Sequence, residues 1–456
     1  MRGAAALVFI SSGAILVLEI LGIRLLAPYV GLTIETTTVI IGTVLAGIAA
    51  GAAVGGRAAD ELDPRRLLAG LLAAGGALAI ATVPLARGLG SALDEDAGAA
   101  AVLIAAVALF PPAAVLSAVT PTVARMQLRD LNTTGAVVGR LSAWATAGGL
   151  VGTFATGFVI VPLVPTDVAV VAVGVVLVVL GLVVARTGAA LAAGAGAIVM
   201  GAATLAAGAP CDAETVYHCA RVEEDPGREG GRVLRLERLR HSYVDLQDPT
   251  HLEFDYTQWM GAAIDDMPAG PFEAVFVGGG GFTLPRYVAA TRPGSRSRVL
   301  EVDGDLVELV RERLGLRTGP DLRVRVGDAR LTLRGEPTDS ADLVVGDAFG
   351  GVAVPWHLTT EEFARDIRRV LRPDGLYLLN VIDYEPRALV RAEHATLREV
   401  FENVALVGHP DPGGNHVFLA SDAPLPELPA PELDLPGGDV LRDDDAPADQ
   451  LLTPAA

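Results

Sequence analysis

The sequence predicts two domains of different class: an all-α, multi-pass membrane bundle of about seven spans over residues 1–209, then an α/β domain with a doubly wound parallel sheet and a small β-rich piece at its start. Three observations carry this. Of the 456 residues 51% are hydrophobic and the mean hydropathy is +0.45, too apolar for an ordinary soluble chain of this size. The apolar residues gather in runs of about 20, the length that crosses a bilayer core. From about residue 210 the runs give way to short apolar strands alternating with amphipathic helices, the pattern of a parallel sheet covered on both faces.

The spans fall near 4–30, 38–56, 67–90, 98–119, 135–162, 167–185 and 189–208. The first contains Glu19 and Arg24, too long and too charged for a cleaved signal, and is expected to be retained. Charges inside a span are costly. Glu19 and Arg24 are five residues apart and do not stack well on one helix, so Arg24 is expected to reach toward the interface beside Pro28. Small residues at close spacing, as in "GTVLAGIAAGAAVGG", suit tight helix packing. The last segment, "LAAGAGAIVMGAATLAAG", is rich in Ala and Gly, and an interfacial helix fits it as well as a span does.

Loop charge sets the orientation. Arg57, Arg65 and Arg66 follow the second span, Arg125, Arg129 and Arg140 follow the fourth and Arg186 follows the sixth, whereas Asp94, Glu95 and Asp96 follow the third. The positive-inside rule makes the N-terminus cytoplasmic. Seven spans then put the C-terminal domain outside, where Cys211 and Cys219, the two cysteines of the chain, would be free to pair; as separate thiols they would constrain nothing. Residues 1–209 hold ten Arg and ten acids, so the net charge of −19 lies in the C-terminal part. An acidic domain repels phosphates, and no nucleic-acid partner is expected. There is no lysine, which excludes a Schiff-base lysine and a phosphate loop of the GK[ST] type.

In the C-terminal part, residues 210–270 form the β-rich piece with a helix at Tyr256–Ile264, and 271–423 the sheet domain. Its strands are expected at Ala274–Gly278, Arg298–Asp303, Leu322–Val326, Ala341–Gly346, Gly375–Ile382, Val404–Gly408 and His416–Ala420. Helices follow at Thr283, Asp305–Leu314, Thr360–Leu371 and Pro386–Phe401, the third capped by Thr359 with Glu362 three residues on. The tail 424–456, rich in Pro and Asp, is expected to be disordered.

Ligands of such a sheet bind beyond the carboxyl ends of its strands. The first strand ends in Gly278, Gly279, Gly280 and Gly281, whose missing side chains let backbone approach a ligand. The second ends in "LEVD", placing Glu301 to accept hydrogen bonds from a ribose diol. The third ends in "VGDAR", with Asp328 placed for an adenine amino group beside Ala329. The fourth ends in "VVGDAF", leaving Asp347 at the edge of the reaction site. Four such groups at the spacing of successive strands define a nucleoside site far better than any one of them. No spacing resembles a metal site.

The succession "VGGGGFTLPRYV", "VLEVDGDLVELVRERLG", "RVRVGDARLTLR" and "ADLVVGDAFGGVAVPWHLTTEEFARDIRRVLRPDGLYLLNVID" resembles the polyamine aminopropyltransferases, the spermidine synthase family, over about residues 230–420. The membrane half, with "LEILGIRLLAPYVG" and "GGLVGTFATGFVIVPL", is similar to membrane-embedded, fused transporter-like members. The resemblance implies a Rossmann-like, methyltransferase-type fold and transfer of an aminopropyl group from decarboxylated S-adenosylmethionine to a putrescine-like amine, without a metal. It makes Asp347 catalytic and gives the glycines, Glu301, Asp328 and Ala329 to the donor. Tyr256 in "DYTQWM" is the member retained from the family's Tyr-His pair before the sheet. By their place in the chain, Tyr243 and His241 in "RLRHSYVDL" could form one wall of an amine pocket and His357 in "VPWHLTT" a lid, with packing or loop hydrogen bonding as the alternative for each. Relatives of the soluble domain tend to associate, so a homo-oligomer fits. The chain departs from the family pattern at three places: Gly280 or Gly281 stands where the loop usually has an aspartate, Gly350 replaces a second aspartate, and Thr257 replaces a histidine. Loss of the loop acid opens two other readings, a methyltransferase using S-adenosylmethionine itself and a polyamine-related transporter or scaffold that keeps a degenerate nucleoside-binding domain.

Overall fold

The computed structural model describes residues 2–93, 97–128, 134–185, 188–409, 413–427 and 430–452. Asp94, Glu95, Asp96, Arg129 and Arg186, used above for loop charge, lie outside them. The chain divides into two compact units, Met1–Cys219 and Ala220–Ala456.

The first unit is helical: α1 (Arg2–Val30), α2 (Ile34–Glu61), α3 (Pro64–Gly90), α4 (Ala97–Ala108), α5 (Phe110–Ser117), α6 (Val119–Gln127), α7 (Thr134–Ala155), α8 (Val161–Leu163), α9 (Thr166–Ala185) and α10 (Gly188–Ala206), with a π turn at Thr156–Ile160 between α7 and α8. Local signals start the helices: Thr33 and Thr36 form a reciprocal capping box before α2, and Asp63 caps α3 with Pro64 in its first turn. Helices α2 and α5 touch where a Cβ at Gly51 would collide with the Ala114 backbone carbonyl, so glycine is needed there for the approach.

Among the described residues, six helical stretches are long and apolar enough to cross a membrane: Gly3–Val30, Ile34–Glu61, Pro64–Gly90, Gly98–Gln127, Thr134–Leu163 and Thr166–Ala185. The expected seventh span does form α10, but its apolar described part, Gly194–Ala206, is shorter. Arg24 does not pair with Glu19. It binds Glu214 at 3.3 Å and the carbonyls of Thr215 and Val216, near a two-residue strand, β1 (Ala213–Glu214). Arg87 and Asp167 form a second ion pair at 2.9 Å. Cys211 and Cys219 are disulfide-bonded, with Cα atoms 5.3 Å apart.

The second unit opens with an antiparallel meander, β2 (Cys219–Glu224), β3 (Gly231–Leu236) and β4 (Leu239–Asp245), then α11 (Asp255–Asp266). The sheet domain follows: β5 (Glu273–Val277), α12 (Thr283–Thr291), β6 (Arg296–Glu301), α13 (Gly304–Arg313), β7 (Leu322–Val326), α14 (Ala329–Leu333), β8 (Ala341–Gly346), α15 (Glu361–Val370), β9 (Leu371–Tyr384), α16 (Ala388–Arg398), β10 (Asn403–Gly408), β11 (Gly413–Ser421) and α17 (Ala448–Leu451). Strand order is β10-β11-β9-β8-β5-β6-β7. The five strands from β9 to β7 are parallel, and β10 and β11 add antiparallel. The order therefore reverses between β5 and β8, which puts the switch point between the glycine loop and Asp347.

Two expectations are corrected. The cap of α15 is Thr360, whose hydroxyl accepts from Phe363 N, one residue beyond the expected Thr359; the Thr359 hydroxyl is spent on the Trp356 carbonyl. The tail is not disordered over 430–452: Leu433 N bonds Leu406 O, Glu361 N bonds Leu441 O, and Leu441 and Ala448 are fully buried. Composition misled because a few apolar anchors suffice to dock an acidic strap.

Candidate functional site

The glycine loop leaves β5 and turns into α12 through Phe282, a buried residue with φ of 61°. Glu301, at the end of β6, braces it: Oε2 accepts from Gly279 N at 2.7 Å and Gly280 N at 3.4 Å, and Oε1 from Asp303 N at 2.9 Å. Burial pushes the Glu301 carboxyl up, while these backbone amides pull it down. The meander closes the other side. Ser242 Oγ accepts from Gly281 N at 3.0 Å, and His241 Nδ1 lies 3.0 Å from the same hydroxyl. A Cβ at Gly280 would come within 2.8 Å of Ser242 Oγ and 3.0 Å of His241 Cε1, and one at Gly281 within 2.8 Å of Ser242 Cβ. The loop thus has no room for the acid that the sequence lacks there.

Asp347 leaves β8 directly beside this loop, its N–H bonded to Val277 O. Its carboxylate takes Asn380 Nδ2 at 2.9 Å on one oxygen and Tyr256 OH at 3.3 Å on the other. Asn415 Nδ2 in turn donates to Asn380 Oδ1 at 3.0 Å. Burial raises the Asp347 carboxyl to about 6, against the lowering effect of the Asn380 and Tyr256 bonds. Burial, and then the Asp347 charge, hold the Tyr256 phenol well above its ordinary value. A carboxylate so placed attracts a cation and accepts a proton more readily than an exposed one.

At the end of β7, Asp328 caps α14 through Oδ1 to Leu331 N (3.1 Å) and pairs through Oδ2 with His357 Nε2 at 3.0 Å. Ala329 begins that helix and is buried. The exposed apolar side chains Val302, Val326, Leu331 and Trp356 belong to the segments that carry Glu301, Asp328 and His357.

One expected site residue is corrected. Tyr243 is buried in the meander with its hydroxyl on Asp225 Oδ2 at 2.7 Å, and burial pushes it to about 12; its side chain is spent there, not on an amine pocket. Sequence reasoning missed Asn380, Asn415 and Ser242. For Asn380 the signal was an amide inside the buried strand "LYLLNVID", which needs partners to be there. Among the described residues no group of three His, Cys, Asp or Glu side chains converges as a metal site would. A cavity of about 380 Å³ lined by Arg365, Arg368, Arg369 and Arg372 lies at the opposite edge of the sheet, where β8 and β9 begin. Its arginines already bind Glu361, Asp422, the carbonyls of Glu336 and Leu333, and Asp342.

Comparison with known proteins follows the same geography. No protein-family model matches the chain. It is 28% identical over 205 residues to a polyamine aminopropyltransferase of Vibrio vulnificus, covering 44% of this chain and 66% of that protein. It is 28% identical over 170 residues to one of Chromobacterium violaceum, covering 35% of this chain and 62% of that protein. The chain thus spans a little under two thirds of the length of these curated relatives. Among solved structures, a probable spermidine synthase from Corynebacterium glutamicum is 32% identical, covering 46% of this chain and 79% of that one, with a TM-score of 0.44.

Proposed function

Because the chain belongs to the polyamine aminopropyltransferase (spermidine synthase) family, we propose that its C-terminal unit transfers an aminopropyl group from decarboxylated S-adenosylmethionine to a putrescine-like amine, and that its helical unit holds the enzyme in a lipid bilayer. The observation that carries the reading is Asp347: a carboxyl raised to about 6, gripped by Tyr256 and Asn380 at the switch point of the sheet.

In the reaction the amine nitrogen attacks the aminopropyl carbon bonded to sulfur. The C–S bond breaks, its electron pair stays on sulfur, and the sulfonium becomes the neutral thioether of methylthioadenosine. The amine reaches the site as a cation and must give up a proton; Asp347 attracts the first and accepts the second. Tyr256 orients that carboxylate. Glu301 takes the ribose diol, Asp328 and Ala329 the adenine, and the glycines lie under the sulfonium.

A second reading has its own observation. With Gly280 and Gly281 packed against Ser242 and His241, the loop carries no acid at these two positions, and a donor that keeps its carboxylate is repelled less there; the chain would then be a methyltransferase using S-adenosylmethionine.

The test is calorimetric binding of both donors and of methylthioadenosine to the full chain in detergent. The aminopropyltransferase reading expects preference for the decarboxylated donor, at least tenfold weaker binding in Glu301→Ala, and methylthioadenosine release with an amine that Asp347→Asn abolishes. Preference for S-adenosylmethionine moves the assignment to methyl transfer. No nucleoside binding sinks both.

A further inference from the structure

A line of contacts runs from the acidic strap at 430–452 to the candidate donor site without using a residue of the reaction itself. Asp443 Oδ2 accepts from Arg330 at 2.6 Å, and Asp443 Oδ1 accepts from the Thr360 hydroxyl at 2.7 Å. Arg330 then donates to His357 O at 2.7 Å and to Thr360 Oγ1 at 2.8 Å. The ring of that same His357 meets Asp328 Oδ2 at 3.0 Å. Three segments distant in sequence, α14, the Trp356–Leu358 turn with the start of α15, and the strap, are thereby tied at one guanidinium.

Arg330 is the pivot for a physical reason. Only 7% of it is exposed, its guanidinium carbon stands 5.8 Å above the Phe363 ring, and Asp443 is the carboxylate it pairs with. Its other partners are neutral oxygens. A buried cation stripped of its counter-ion is strongly unfavourable, so the strap settles where the guanidinium points. Arg330 also lies two residues after Asp328, in the first turn that Asp328 caps. A shift of Arg330 therefore moves the helix whose N-cap is the adenine-side acid, and a shift of His357 moves that acid's other partner.

The strap is fixed independently just before Asp443 and at its own amide. Leu441 N donates to Thr396 Oγ1 at 2.9 Å, Leu441 O accepts from Glu361 N at 2.8 Å, and Arg442 pairs with Glu361 at 3.0 Å. Asp443 N itself donates to Glu362 Oε2 at 3.0 Å. Its carboxylate is thus delivered to Arg330 by a built segment, not by a loose side chain.

We propose that Asp443 is a positioning residue of the donor site: through Arg330 it holds the His357 turn, and through that turn it orients Asp328 toward the adenine end of the donor. The proposal rests on reading Asp328 as the adenine contact. It gives the C-terminal strap a part in donor affinity and none in the transfer step.

The test compares Asp443→Asn, Asp443→Glu, His357→Ala and the Asp443→Asn/His357→Ala double variant in the full chain. Asp443→Asn is expected to raise the KM for the nucleoside donor about tenfold, with kcat and the KM for the amine within twofold of the parent, and Asp443→Glu to restore most of the loss. His357→Ala should cost a similar factor and the double variant no more than either, since all act on one line of contacts. Hydrogen exchange of residues 350–358 should speed up in Asp443→Asn, a readout that needs no ligand. Unchanged exchange and unchanged donor KM overturn the proposal, and so does a uniform loss of kcat and both KM values with a lowered melting temperature, which marks the strap as scaffold. A parent chain that binds no nucleoside, with exchange still faster in Asp443→Asn, removes the donor role and leaves only the mechanical coupling.

Discussion

Asp347 ionises at about 6 instead of 3.8 because burial penalises its charge more than Asn380 and Tyr256 stabilise it. The sign of the consequence follows. The folded chain holds this proton more tightly than the unfolded chain between about pH 4 and pH 6, so ionisation costs stability in full above pH 6, and that cost disappears as the pH falls below about 4. The proposed catalysis runs the other way, because it needs the ionised form to attract and deprotonate an amine. The kcat/KM for the amine is expected to rise about tenfold per pH unit up to about 6 and then to level. In Asp347→Asn that limb should vanish and the rate fall by about 10²–10⁴-fold, while the melting temperature at pH 8 stays level or rises. A pH–rate profile beside a melting series checks both. A rising limb that survives in Asp347→Asn would assign the titration to another group.

At the scale of elements, Leu441 is the most deeply buried large apolar side chain among those that dock the strap. Leu441 is 1% exposed and its peptide is bonded on both sides, so Leu441→Ala is expected to lose about 2–4 kcal/mol of local packing and to open residues 430–452 to limited proteolysis that leaves the sheet domain intact. Cleavage at the same rate in parent and variant would mean that Leu441 does not hold the strap. This docking also shows where sequence stops being informative. Strands β5 and β8, with the glycines and Asp347 at their ends, were legible because they hold short unbroken buried apolar runs, whereas β6 and β7 carry arginines and β7 is largely exposed, so their place in the strand–helix alternation marked them. The expected strands at Val404–Gly408 and His416–Ala420 formed as well, as β10 and β11. Asn380 and Asn415 were not legible: an amide inside a strand looks like an interruption until the partner across the sheet is known, and Asn415 reaches Asn380 from an antiparallel neighbour 35 residues away. Tyr243 failed for a related reason. Successive residues of β4 face opposite sides, so Ser242 meets the glycine loop and Tyr243 turns to Asp225.

For the whole molecule, six long apolar helices and a shorter seventh leave orientation to a separate observation, the Cys211–Cys219 bond. Disulfides persist in oxidising compartments. We therefore expect the segment 211–219 to face away from the cytoplasm: in intact cells an impermeant maleimide should label neither cysteine until an impermeant reductant is added, and then both. Labelling that requires lysis would place the segment inside and turn the odd span count into an even one. The outcome also decides which pool of donor the sheet domain can draw on, since a cofactor made in the cytosol is scarce outside it. Whichever side it faces, each turnover of the proposed reaction must dispose of one hydrogen ion, and the two amides behind Asp347 bear on how. Asn380 and Asn415 hold the carboxylate from one direction, and a carboxamide neither gains nor loses a proton at ordinary pH, so that direction is an insulating wall. If Asp347 takes a proton from the amine as proposed, that proton is expected to leave past Tyr256, the other side chain bonded to the carboxylate.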